Sequence, residues 1–138
     1  MIVIVLKSLH FLALLFGAAA SLGNIYLALS AGPHDLAAPG FTNMLRKLYR
    51  LTALGAITVL WITGLLLMVW RYGIWVEGFA FSAKIMLAVA LTAIIFFLNV
   101  MAPGWTRNGG PPSYVPALHW VGSACLIGIV VFAVIAFN

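Results

Sequence analysis

Four long apolar segments, at about residues 2–30, 44–70, 79–101 and 116–137, constrain this chain more than anything else in it. Each reaches the roughly 20 residues that carry a helix across a hydrocarbon core of about 30 Å. A backbone in lipid must satisfy its own N–H and C=O groups, so such segments form helices rather than open strands. The joining stretches are short and punctuated by helix breakers, with Pro33, Pro39 and Gly40 in the first and Gly109-Gly110-Pro111-Pro112 in the third. The expected fold is all-α: a single domain over residues 1–138, an integral membrane antiparallel four-helix transmembrane bundle.

Composition excludes the soluble alternatives. Only 7% of the residues are charged and 65% are hydrophobic, whereas a soluble domain carries about 25% charged residues. The net charge of +5 comes from basic residues scattered at segment ends, where they orient helices in a bilayer. It does not point to nucleic acid. The lone Cys125 can form no internal disulfide and reads as a small hydrophobe. The first run ends in Ala18-Ala19-Ala20, as a secretory leader could, but no charged region precedes it, so it is read as a retained span.

Polar groups inside the spans then carry the argument, because ionisable side chains at membrane depth are expensive and suggest function. Along the first span, Lys7, His10, Leu14, Gly17, Ser21 and Asn24 recur at steps of 3, 4, 3, 4 and 3, which is one helix face. The third span has its own stripe: Lys84, Ala88, Thr92, Ile95 and Asn99. Small and polar faces pack against protein rather than lipid. At about 1.5 Å per residue, His10 lies roughly 12 Å and Lys84 roughly 8 Å from the membrane face that holds Met1. The two stripes facing each other would therefore bring His10 and Lys84 together. A second polar layer forms near the opposite face, from Arg50, His119, Asn24 and Asn99. Thr42 or Asn43 is expected to cap the second helix.

Chemistry is narrowed by what is missing. The two acids, Asp35 and Glu77, fall in or beside loops, so a carboxylate-driven transporter or a di-iron bundle is disfavoured. There is no HExxH pattern, no phosphate-binding glycine loop and no Ser-His-Asp set. Intramembrane histidine remains, and neutral imidazole binds haem iron, zinc or copper. Bundle interiors are common sites for haem. A pairing of His10 with His119 is poor in depth, whereas His10 with Lys84 matches. Lys84 would ligate as a neutral amine, or Lys84 and Arg50 would pair with the propionates of a tetrapyrrole.

Several short motifs occur in order: Leu6-Lys7-Ser8-Leu9-His10, Leu45-Arg46-Lys47-Leu48-Tyr49-Arg50, Trp61-Ile62-Thr63-Gly64-Leu65 and Phe81-Ser82-Ala83-Lys84-Ile85-Met86-Leu87. In this set the chain resembles the HemJ-type protoporphyrinogen IX oxidases and, more loosely, CopD-like small four-span membrane proteins. The resemblance covers roughly the first 100 residues. It implies haem b, with His10 on the iron and Lys84 as second axial ligand, and matches Arg46 and Arg50 to the family's helix-two arginines. The family's acidic Asn-Glu-Pro type motif before the last helix has no counterpart, since Tyr114-Val115-Pro116-Ala117-Leu118-His119 contains no acid.

The expected function is a haem-b-binding membrane redox protein, HemJ-like, oxidising protoporphyrinogen IX or passing electrons in the membrane. Its site residues would be His10, Lys84, Arg50 and His119. Expected partners are the lipid bilayer, a tetrapyrrole substrate, and further copies of the chain or a larger membrane complex. The competing expectation is a non-enzymatic accessory subunit or assembly factor. Each site residue also has a plain reading: His10 bonded to a neighbouring helix, Lys84 snorkelling, His119 at the interface beside Trp120, and Arg46, Lys47 and Arg50 as topology determinants. Arg46, Lys47, Arg50 and Arg107 stand on the side of the first and third loops against Lys7, Arg71 and Lys84 on the other, a slight bias that favours the former side as cytoplasmic and both termini as non-cytoplasmic, in a plasma (inner) membrane.

Overall fold

The computed structural model describes residues 1–30, 39–72, 78–107 and 111–137. His34, Asp35, Trp75 and Glu77 lie outside them. The described residues form four helices: α1 (Ile2–Ser30), α2 (Pro39–Leu67), α3 (Phe79–Arg107) and α4 (Val115–Phe137). The last turn of α2 widens into a π-helical segment, Met68–Tyr72. All four helices are long and apolar enough to cross a membrane, and large hydrophobic side chains cover their outer faces. Such a surface is stable only against lipid, and the chain is a multi-pass membrane protein.

Two boundaries differ from the sequence expectation. Helix α2 begins at Pro39, so Thr42 and Asn43 lie inside it and cap nothing. Proline suits a first helical turn, where its missing N–H would have no partner anyway. Helix α3 runs on through Pro103 and Gly104 to Arg107. One proline removes a single intrahelical bond, and the extension is anchored by Trp105, whose ring packs edge-on against Phe97 at 6.2 Å and Tyr114 at 6.3 Å.

The helices pair first as hairpins. Helix α1 packs most extensively on α2, and α3 on α4, with thinner seams between α1 and α4 and between α2 and α3. Small residues let α1 and α2 approach: Ala13 and Ala20 are buried, and a Cβ at Gly17 would stand 3.5 Å from Ala56 Cβ. In lipid, such close backbone contact replaces the hydrophobic drive that water would supply. Ile57, Leu91 and Ile129 form an apolar layer joining α2, α3 and α4.

The thin seams are tied by hydrogen bonds. Ser21 and Ser123 hydroxyls meet at 2.7 Å between α1 and α4. Between α2 and α3, Trp61 Nε1–H donates to Thr92 Oγ1 at 2.9 Å, and Thr92 donates in turn to Ala88 O at 2.7 Å. Thr92→Val leaves the indole N–H without its acceptor and is expected to cost about 0.6–1.7 kcal/mol. Reversible unfolding in detergent micelles measures it. A Trp61→Phe and Thr92→Val double-mutant cycle showing no coupling would show the bond to be idle.

Candidate functional site

The two polar stripes face the interior, and two cavities divide them. One, of about 440 Å³, lies toward the Met1 end, and Lys7, His10 and Leu14 of α1 line it with Lys84 and Ala88 of α3. The other, of about 1040 Å³, takes Gly17, Ser21 and Asn24 from α1 and Ile95 and Asn99 from α3. Ile57, Leu60 and Leu126 line both, so an apolar layer separates them. The smaller volume falls within the range of about 300–1,000 Å³ typical of small-molecule sites, and the larger lies just above it.

The structure therefore brings His10 and Lys84 to one cavity, across the bundle and within electrostatic range of each other. It puts Arg50 and His119 in the other. No single cavity holds all four.

His10 is held more tightly than its sequence position suggested. Its Nδ1 lies 2.8 Å from Thr63 Oγ1, and Thr63 is only 3% exposed. The Thr63 hydroxyl has one proton, which goes to Val59 O at 2.7 Å. With the proton there, the oxygen is left to accept, and His10 matches it as the tautomer with Nδ1–H and the free lone pair on Nε2. The ring lies over Gly64 of α2, where a Cβ would make ordinary contact with His10 Cε1 at 3.5 Å. Sequence reading quoted Thr63 and Gly64 as part of a motif but gave neither a role. The available signal was a threonine beside a glycine at the depth of His10.

The smaller cavity's donor set is one oriented imidazole, one amine and mostly apolar walls. It suits a large apolar ligand carrying a metal and an anionic edge. Ligating histidines characteristically donate their other ring N–H to an acceptor that sets orientation and basicity, and the Thr63–Val59 relay has that form. Among the described residues no group of three or more His, Cys, Asp or Glu side chains could hold a bare metal ion. Met68, from the π-helical segment, also lines this cavity.

The larger cavity is cationic at one end and apolar below. Arg46, Lys47 and Arg50 line it beside His119, which lies within electrostatic range of Arg46. Arg46 and Arg50 are half-buried here, while Lys47 is exposed. No family model, curated protein or solved structure matches this chain.

Proposed function

We propose that this chain is a membrane redox protein holding a b-type haem in the His10–Lys84 cavity, as its resemblance to HemJ-type protoporphyrinogen IX oxidases implies. The observation that carries the reading is the His10–Thr63–Val59 relay, which holds an oriented imidazole beside a mostly apolar cavity. Haem would supply one-electron chemistry that none of the lining side chains can.

In this reading His10 binds iron through Nε2. Lys84 brings from α3 either a second nitrogen donor or, as ammonium, a counter-charge to a carboxylate. The apolar walls exclude water and disfavour solvated charge, which tunes potential. Electrons would pass to or from a protoporphyrinogen-type substrate or a membrane carrier. The basic residues at the end holding the first and third connections would face the cytoplasm, in a plasma (inner) membrane, with both termini on the other side.

Oxidised and dithionite-reduced absorption spectra of the purified protein test this. A b-type spectrum is the expected result. Lys84→Leu separates the two roles of the lysine: a change of spin state marks a lost ligand, while an unchanged spectrum with a shifted midpoint potential marks a lost charge. A colourless protein that takes up no added haem overturns the reading and favours the accessory-subunit alternative.

A further inference from the structure

The larger cavity has features the haem reading leaves unused. Arg50 Nε is buried, and among the described residues it meets no hydrogen-bond acceptor. A buried charged donor without an acceptor is costly, and more so where lipid replaces water. Among the described residues none is acidic, so none of them offers it a carboxylate. An anion entering the cavity would supply the missing acceptor.

The shape of the surroundings indicates what kind. On α2, Arg46 and Arg50 are followed on the same face by Ala53, Ile57 and Leu60, all lining the cavity. Asn24, Asn99 and His119 complete the polar end from the other three helices. Leu91, Leu98 and Leu126 continue the apolar part. A charged head and an apolar body are thus both accommodated, in that order from the membrane face inward. Arginine also suits phosphate through its planar fork of donors.

We propose that the larger cavity is an intramembrane binding site for a phosphate-bearing amphiphile, an anionic membrane lipid, whose headgroup is held by Arg50 and Arg46 and whose chain lies against Ile57, Leu60 and Leu126. The site is separate from the His10–Lys84 cavity and does not depend on haem binding there.

The protein is reconstituted in equal parts of phosphatidylcholine and phosphatidylglycerol, extracted in mild detergent and examined by native mass spectrometry. Both lipids carry a phosphodiester, but the ammonium of phosphatidylcholine would lie among Arg46, Lys47 and Arg50, so retained phosphatidylglycerol should exceed phosphatidylcholine by roughly tenfold. Arg50→Gln should bring the two lipids to parity. Arg107→Gln removes an equal charge from the exposed end of α3, outside the cavity, and should leave the preference intact. Ala53→Leu, which fills the apolar part without touching charge, should lower retention independently if Arg50→Gln does not fold. In parallel, thermal unfolding of delipidated protein is followed with added inorganic phosphate. Stabilisation by phosphate without lipid retention would assign the anion to a small solute and overturn the lipid. Equal retention of both lipids by the wild type, or an undiminished preference in Arg50→Gln, would overturn the site. Neither result bears on the absorption spectrum, so the two readings fail separately.

Discussion

If the smaller cavity holds the proposed haem, His10→Ala is expected to abolish its b-type absorption in the purified protein, and Thr63→Val to weaken haem binding while leaving the ligand in place. The first substitution removes the nitrogen; the second removes what aims it. With valine at residue 63, the Nδ1–H of His10 faces an apolar side chain, and the neutral ring loses the preference that keeps its lone pair on Nε2. Changing the partner of a ligating histidine costs about 10–100-fold in affinity. Haem titration of the two proteins measures it. Thr63→Ser keeps a hydroxyl that can accept from His10 and donate to Val59 O, so it should recover most of the loss. That rescue separates tautomer control from packing, since serine and valine both alter the methyl contacts of a buried residue. A Thr63→Val protein that binds haem as tightly as the wild type would remove the relay from the mechanism.

The outward plan of this molecule is legible in the sequence because lipid leaves few choices. Long apolar runs must become helices, and a stripe with steps of three and four residues must lie on one helix face. All six residues of the α1 stripe line one cavity or the other. The helix ends were less legible. Pro39 read as a breaker and the third segment read as ending at about residue 101, before Pro103, yet one proline stands where a helix N-terminus tolerates it and the other in an end anchored by Trp105. A proline's effect depends on whether its missing bond has a partner, and sequence does not show partners.

The interior was legible in its residues but not in its division. Depth along each helix placed His10 with Lys84 and Arg50 with His119, and the structure groups them in the same pairs. That an apolar layer of Ile57, Leu60 and Leu126 would stand between them was not foreseen, because these are ordinary residues of apolar spans. Thr63 escaped for the opposite reason. A hydroxyl in a membrane helix usually returns its proton to the preceding turn, as Thr58 does to Leu54 O. Only the neighbouring helix reveals that Thr63 does so while also accepting from a histidine.

Gly23→Ala is expected to destabilise the bundle by about 1–3 kcal/mol, the usual cost of overpacking, although alanine is the better helix former. A Cβ at this position would lie 2.7 Å from Tyr49 Cε2 and Cζ, too close for either atom to stay where it is. Tyr49 belongs to the α1–α2 contact, the most extensive in the protein along with α3–α4. Its ring turns about only two bonds, so the strain that its rotation does not relieve passes to the backbone of α2. If the clash is the whole cause, removing the ring should reverse the sign. In a Tyr49→Ala background, Gly23→Ala should stabilise by up to about 1 kcal/mol, the intrinsic helix preference of alanine over glycine. Unfolding of the four proteins in detergent gives both increments from one cycle. A stabilising Gly23→Ala in the wild type would mean that the ring moves aside freely. A destabilising one in both backgrounds would mean that α1 itself, rather than its contact with Tyr49, requires the glycine. Because Tyr49 immediately precedes Arg50, a strained α2 would also displace the arginine from the larger cavity. Lipid retention should then fall in Gly23→Ala, although no charge has been removed.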